Sequence, residues 1–523
     1  MSIMGSSAMS RSVEIGVVGG GASAVCLLDA LAQTHTPPGG ITVFEPSPHL
    51  WRGRPYQPDL ETVRVNIAPD GMSVRFGDSG HFPRWLADRD ATAGSGTDFV
   101  DPLNQMRFIP RAMYGLYLED AAQAALTQLR ERGWRIDIVR ETVSTAMRAG
   151  GKVALRTQSG QQAVVDYTVL CVGRGQPGDP YALTGTEGFI ADPYPLSHSL
   201  TDIDPDDTVG VVGSGLTGID VVLSLANGGH RGRILLLSRS GVLPLVRQSP
   251  LPHTLQHFTA ERFRGAAARG ETLTVEELVG TMRREFSAAG EDFDSVAKEI
   301  AALTEEDPVQ RLRRHLAEVH SPRRGLRILQ HAVPATGPDI WPLLPEQEKA
   351  ELLRTHYRSV MSLCCPMPPT AAAMVLDLID AGQLEIISGI RHIERSGGGG
   401  FTLRTDDEQP AYRADRLVNA VSPSSRSLPL KAEDLIASLT AAELAQRHPR
   451  GGVRVERATS RFVVDGTADP RLYALGDLAS GSLFFTFGLP SIVDRAYDIA
   501  DAIHADVMGR TSSLCGADVL QNT

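Results

Sequence analysis

The chain has 523 residues, 42% of them hydrophobic, and a formal net charge of -11. That length suits roughly three domains of about 150 residues, and the interspersed charges offer no basic tract for a nucleic acid. No apolar run approaches the roughly 20 residues that span a bilayer, and MSIMGSSAMSRS lacks the apolar core of a signal peptide, so the expected address is the cytoplasm.

In chain order, the first element is VEIGVVGGGASAVCLLDAL. A β-branched run from Val13 to Val18 breaks at three glycines and resumes with helical apolar spacing, which predicts strand, tight turn and helix. Gly19, Gly21 and Ala24 form GxGxxA in that context, with Ala22 and Ser23 between them. Glycine permits the turn and lets backbone N–H groups approach a pyrophosphate at the positive helix end. The next strand, ITVFEP, ends at Glu45, where a carboxylate can accept hydrogen bonds from a ribose. A bare strand-turn-helix is the alternative. WRIDIVRETVSTAMRAGGKVALRTQSG then reads as an antiparallel meander, and DYTVLCVGRG as a strand returning to a parallel sheet.

TVGVVGSGLTGIDVVLSLANG repeats the opening design. Gly213, Gly215 and Gly218 give a full GxGxxG, with Leu216 and Thr217 inside it. After the strand RILLLSRSG come Ser238, Arg239 and Ser240, where a site specific for NAD would offer a carboxylate. A guanidinium and hydroxyls suit a 2′-phosphate, so NADPH is expected over NADH. From about Thr254 to Tyr357 the chain is rich in Ala, Glu, Arg and Leu at helical spacing. This stretch reads either as a solvated appendage or oligomer surface, leaving a homo-oligomer open, or as a cover over a substrate pocket. A second meander, LEIISGIRHIERSGGGGFTLRTDD, leads into the strand DRLVNAVSP. Near the end RLYALGDLASG closes a strand on Gly476 and Asp477, and Gly488, Pro490 and Ser491 open an amphipathic helix.

The cysteines, Cys26, Cys171, Cys364, Cys365 and Cys515, include no CxxC pair. That argues against a disulfide framework, a structural zinc site or a redox dithiol beside a flavin, and the adjacent Cys364 and Cys365 are expected to pack as small apolar residues.

With these motifs the chain resembles the flavin-dependent monooxygenases of the two-dinucleotide type, including N-hydroxylating enzymes and flavin-containing monooxygenases. The resemblance covers most of the chain except the helical stretch. It rests further on WRGRPYQPDLETVRVNIAPDGMSVRFGDSGHFPRWL, which holds Asn66, Met72 and Phe82-Pro83, similar to the flavin-proximal segment of that family. FIPRAMYGLYL, from Phe108 to Leu118, fits related bacterial FAD/NAD(P)-binding proteins. The resemblance implies FAD at the first glycine turn, with Asp477 on the ribityl chain and the last helix aimed at the flavin pyrimidine, where its N-terminus stabilises the reduced anion. An ordinary core helix is the alternative there. It places Asn66 beside the flavin, where a carboxamide can donate to a peroxide oxygen and accept from a ribose hydroxyl; an asparagine in a Pro-containing turn is the alternative. Two departures stand out. The family's FxGxxxH before the second turn is absent, with Phe189 and His198 at wider spacing, so His198 reads as a surface-loop residue. The second return strand ends in NAVSP rather than in an Ala-Thr-Gly pattern.

The implied fold is α/β, with two nested Rossmann-like domains for FAD and NADPH and a helical insertion. Residues 13–195 and 366–505 are expected to bind FAD, 196–253 to form the inserted NADPH core and 254–360 the helical insertion, with flexible ends at 1–12 and 510–523. The implied activity is an FAD- and NADPH-dependent monooxygenase that N-hydroxylates an amine of a small amino-acid-like or natural-product substrate, with molecular oxygen, through a C4a-hydroperoxyflavin. Metal, nucleic-acid and membrane partners are not expected. Charge alone makes Arg111 and Arg247 candidates to clamp a substrate carboxylate, with a plain surface arginine the alternative for each. The rival readings are an NADPH-dependent flavoprotein reductase feeding a partner protein, and a nucleotide-binding scaffold.

Overall fold

The computed structural model describes residues 12–93, 99–406, 411–423 and 428–520. The opening β-branched run forms the strand Glu14–Val18, buried in the middle of a six-stranded sheet. Across that sheet the order is Arg461–Val464, Thr467–Ala474, Tyr167–Leu170, Glu14–Val18, Gly40–Phe44 and Arg135–Val139. Every pairing is parallel except that of the Arg461–Val464 edge. Helices Ala22–Gln33, Arg111–Glu131 and Leu489–Leu520 bury one face of the sheet. The meander of Val143–Ala149, Lys152–Thr157 and Gln162–Val165, with helix Leu430–Ala441, buries the other. A Cβ on Gly16 would stand 2.8 Å from Leu155 Cδ1, so glycine lets the meander lie close on the central strand.

The second sheet repeats this plan with five parallel strands: Leu384–Ile387, Ile234–Leu237, Val209–Val212, Arg416–Asn419 and Phe189–Ile190. Helices Leu216–Asn227 and Pro369–Asp380 lie on one face and the second meander, Ile390–Arg395, Phe401–Thr405 and Tyr412–Ala414, on the other. Two nested α/β units are thus present as the repeated motif implied. The boundary moves, however. Leu384 pairs with Ile234, and Arg416 with Val209, so the residues after 366 first complete the second unit. The chain rejoins the first sheet only beyond Asn419, and Phe189–Ile190 also belongs to the second sheet.

Within the second unit, between strands Ile234–Leu237 and Leu384–Ile387, helices Ala260–Ala268, Val275–Ala288, Asp294–Glu305, Pro308–Ala317, Gly325–Ile340, Glu346–Thr355 and Tyr357–Cys364 carry no strand, as the helical spacing predicts. Most of them share a core around Phe258, Phe263, Phe286, Ile328 and Trp341, while Pro308–Ala317 packs through Leu312 into the core of the second sheet. Glu285 is fully buried and accepts the N–H groups of Gln256, His257 and Phe258, which turns the incoming chain onto this core. At the far end, helix Leu489–Leu520 runs on through most of the expected flexible tail; residues 1–11 and 521–523 lie outside the described residues. Among the described residues no helix is long and apolar enough to cross a membrane.

Candidate active site

The first glycine turn has the backbone its sequence requires. Gly19 has φ +102°, and a Cβ there would collide with the carbonyl oxygen of Cys171. Gly21 caps helix Ala22–Gln33 without any side-chain hydrogen bond, leaving the N–H groups of Ala22, Ser23 and Ala24 for a ligand. Glu45 lies beside this turn; its carboxylate accepts the N–H of Gly20 at 2.7 Å and of Ser47 at 2.7 Å. A carboxylate has lone pairs beyond these two, so ribose hydroxyls can still be accepted.

The second turn matches it. Gly213 has φ +114°, and its Cβ would stand 2.6 Å from the Ala420 carbonyl oxygen. Gly218 lies under the turn, where a Cβ would strike the Gly213 carbonyl. Gly215 caps helix Leu216–Asn227, again with no side-chain bond, and a Cβ on it would meet nothing within 4 Å. Open space over a glycine at a helix N-terminus is the room a pyrophosphate needs.

A cavity of about 1330 Å³ joins the two units. Asn66, Met72, Asp477 and Ser491 line it on the side of the first sheet, and Gly213, Gly215, Leu216, Thr217, Ser238, Arg239 and Ser240 on the side of the second. The first glycine turn and Glu45 stand just outside this lining, with Gly19 backed on Cys171, two residues before the lining residue Gly173. Asp477 follows Gly476, whose φ is +87°, and lies 3.4 Å from Arg174 Nε, while Thr486 Oγ1 donates to it at 3.3 Å. Burial pushes this carboxyl up, and Arg174 opposes that shift. At the start of the last helix the buried Ser491 hydroxyl has no partner, a vacant hydrogen-bonding position of the kind a flavin ring edge would fill.

Asn66 donates from Nδ2 to the Pro366 carbonyl at 3.3 Å. Arg247 is held by the adjoining residue, its N–H donating to the Met367 carbonyl at 2.9 Å. The Asn66 side chain and the Arg247 backbone therefore both hold the short segment Pro366-Met367. Met72 is buried, and its carbonyl accepts from Tyr114 Oη at 2.9 Å. Phe82 packs against Tyr114 and Tyr117 below this wall.

Two arginines that charge alone made equivalent are separated by the structure. Arg111 forms an ion pair with Asp220 at 2.7 Å and donates to Tyr194 Oη at 3.0 Å, neither a surface residue nor a free clamp. Burial works against its charge, but Asp220 and Tyr194 outweigh it and hold the guanidinium above its usual range. Arg247, in contrast, forms no ion pair with any described residue, and its buried Nε has no partner. Burial pushes it down to about 10. Its neighbour Gln248 is 7% exposed with an unpartnered Oε1, and Gln330, from helix Gly325–Ile340, has an unpartnered Nε2. All three line the cavity.

The helical stretch is also part of the wall. Gln330, His331, Pro334, Trp341, Tyr357 and Arg358 line the cavity. Trp341 donates from Nε1 to the Gly481 carbonyl at 3.1 Å and stacks on Phe484 with centroids 4.6 Å apart. The stretch is thus a wall of the cavity rather than an appendage standing apart from it. Sequence reasoning missed these residues, along with Arg174 and Gln248; no local spacing marks them, because the cavity they line forms only in the fold. His198 is exposed on the short helix Leu196–Ser199, away from the cavity lining. Both cysteines line the cavity: Cys364 is buried, as expected for a small apolar residue, and Cys365 is half-buried, its thiol pushed up to about 11 by burial.

A family model described as FAD-NAD(P)-binding matches residues 16–175. No curated protein matches the sequence. Among solved structures, the cadaverine monooxygenase of the desferrioxamine pathway from Erwinia amylovora, bound to FAD, superposes with a TM-score of 0.58 at 14% identity, over 94% of this chain and 94% of that one. The ornithine hydroxylase of Pseudomonas aeruginosa gives 0.55 at 15% identity, over 94% and 99%. The ornithine N-hydroxylase of Kutzneria sp. 744, solved with reduced FAD, NADP+ and L-ornithine, gives 0.52 at 15% identity, over 96% and 100%. The match at residues 16–175 is thus to the FAD-NAD(P)-binding family, and the whole chain has the two-dinucleotide-binding fold seen in these flavoprotein monooxygenases.

Proposed function

We propose that this chain is an FAD- and NADPH-dependent monooxygenase that N-hydroxylates a small primary amine carrying an anionic or carbonyl acceptor. The observation that carries this reading is the single cavity running from Asp477 to Ser238 and Arg239, with unpartnered polar groups in its wall. The solved structures of like fold include enzymes named for ornithine and cadaverine, both amines. The reaction consumes one NADPH, one oxygen molecule and one proton per amine, and yields NADP+, water and the hydroxylamine.

The residues present fit both cofactors. Asp477 and Ser491 would hold FAD below the last helix, with Glu45 and the first glycine turn on its ribose and pyrophosphate. Gly213, Gly215 and Thr217 would receive the NADPH pyrophosphate, and Ser238 and Arg239 its 2′-phosphate. When bound, FAD supplies hydride acceptance from NADPH and the activation of oxygen. The chain then has to place an amine and keep water out. Asn66 stands at the junction, a neutral donor and acceptor that cannot itself protonate a reactive oxygen group. Arg247, Gln248 and Gln330 offer two donors and one acceptor to the far end of the substrate. A guanidinium without a carboxylate in a low-dielectric wall favours an anion there. Trp341 and Phe484 close the wall against water.

The test is stoichiometric. The FAD-loaded protein is offered NADPH, oxygen and a panel of diamines and amino acids with side-chain amines, and NADPH loss is compared with hydroxylamine formed. Near one-to-one coupling for one amine is expected. Fast NADPH loss that feeds an added electron acceptor and never yields an oxygenated amine would reject the reading in favour of the reductase.

A further inference from the structure

We infer that Arg358, on the helical insertion, is the second arm of a two-arginine clamp on the 2′-phosphate of NADPH, so that the insertion reads the phosphate across the cavity from Arg239. This rests on the reading of the second turn as an NADPH site. The placement follows from backbone and side-chain contacts. Helix Tyr357–Cys364 is tied to the loop after the second sheet's second strand: Ser362 Oγ donates to the Leu243 carbonyl at 2.7 Å, and the Leu245 N–H donates to the Ser362 carbonyl at 3.1 Å. Leu243 lies four residues after Arg239. Arg358 precedes Ser362 by four residues, which puts the two on one helix face. Arg358 therefore faces the loop that presents Arg239, and both side chains line the cavity together with Ser238 and Ser240.

Neither guanidinium forms an ion pair or hydrogen bond with any described residue, although most arginines of this chain pair with a carboxylate or carbonyl. Burial and the charge of Arg239 both press Arg358 below its usual range. Two like charges left facing one another, with no acid between them, are stable only at a cost, and a dianionic phosphate removes that cost. The loop is closed by a hydrogen bond from the Gly241 N–H to Ser238 Oγ at 2.8 Å, so Arg239 is presented from a closed turn. A neutral 2′-hydroxyl can accept a hydrogen bond from an arginine but offers neither arm a charge to pair with, which makes the pair a discriminator between NADPH and NADH.

The experiment measures binding of NADP+, NAD+ and 2′,5′-ADP to the FAD-loaded protein by calorimetry, for wild type, Arg239→Ala, Arg358→Ala and Arg358→Lys. Wild type is expected to prefer NADP+. Arg358→Ala should weaken NADP+ and 2′,5′-ADP by about tenfold or more while changing NAD+ less than twofold, and Arg358→Lys should recover part of the loss. Amide exchange in Tyr357–Cys364 should slow with NADP+ and not with NAD+. Equal affinity of Arg358→Ala and wild type for NADP+, or equal weakening of NADP+ and NAD+, overturns the clamp while leaving the NADPH site standing. Failure of wild type to bind NADP+ at all overturns both.

Discussion

Arg247 is a cation in a cavity wall, and its energetics make a sharp prediction. A charge-assisted hydrogen bond to a carboxylate is worth about 1.5–3 kcal/mol, which corresponds to roughly 10- to 100-fold in affinity. Arg247→Ala should therefore raise the KM for a carboxylate-bearing amine by that factor and leave a plain diamine almost unchanged; equal effects on both would remove Arg247 from the substrate site. The pH dependence has a fixed sign. Burial has pushed this guanidinium down to about 10, so it is charged at neutral pH, and a bound carboxylate favours the charged form. Inhibition by a simple carboxylate without an amine should be flat from pH 7 to 9 and weaken as pH rises through about 10. Constant inhibition beyond that point would mean another group binds the anion. At this scale the sequence spoke through local rules. The glycines were legible because a turn and its helix cap are written within six residues. Arg111 was not, because its partner Asp220 lies 109 residues away and only the fold brings the two together.

The elements that position the site are the two glycine-capped helices, the last helix and the insertion. Helical spacing made the insertion readable as helices, since an apolar stripe every three or four residues needs no knowledge of its partner. What the stripe packs on is not in the spacing. Gly337, near the end of helix Gly325–Ile340, lies so close to the segment before the last helix that a Cβ would stand 2.8 Å from Phe485 Cβ. The stack of Trp341 on Phe484 and its bond to the Gly481 carbonyl fasten the insertion to that same segment. Trp341→Phe keeps an aromatic ring but leaves a buried carbonyl unpaired, a loss of about 1–3 kcal/mol. Trp341→Ala also empties the wall and should cost about 3–5 kcal/mol. The functional consequence separates cover from scaffold: Trp341→Ala should lower the ratio of hydroxylamine formed to NADPH consumed, with peroxide released instead, while Trp341→Phe should stay near wild type. An unchanged ratio in Trp341→Ala would show that the insertion does not exclude water from the reaction.

At the scale of the whole molecule the chain is one design used twice, strand, glycine turn, helix, meander and return strand. The repetition was visible in GVVGGG and GVVGSG. The assignment of the return strands was not, because LEII and RLVN satisfy the period of any buried parallel strand, and only their pairing to Ile234–Leu237 and Val209–Val212 decides ownership. That ownership has an energetic meaning. The first sheet is buried between the clusters around Val17 and Phe462, and the second between those around Val211 and Leu403, so each sheet has its own core, although Val63 of the first unit packs into the second. Damage to one turn should then stay in one unit. Gly213→Ala forces a Cβ to 2.6 Å from the Ala420 carbonyl at φ +114°, which must push the turn off the end of strand Arg416–Asn419. The variant is expected to purify with its full complement of bound FAD, seen in its visible absorption, and to lose measurable NADP+ binding by calorimetry. In the wild type, NADP+ at one hundred times its dissociation constant should add about 2.7 kcal/mol of stability, and Gly213→Ala should lose that increment. Loss of FAD together with NADP+ would mean that the two units do not hold their ligands independently, and the cavity between them would have to be treated as a single cooperative site.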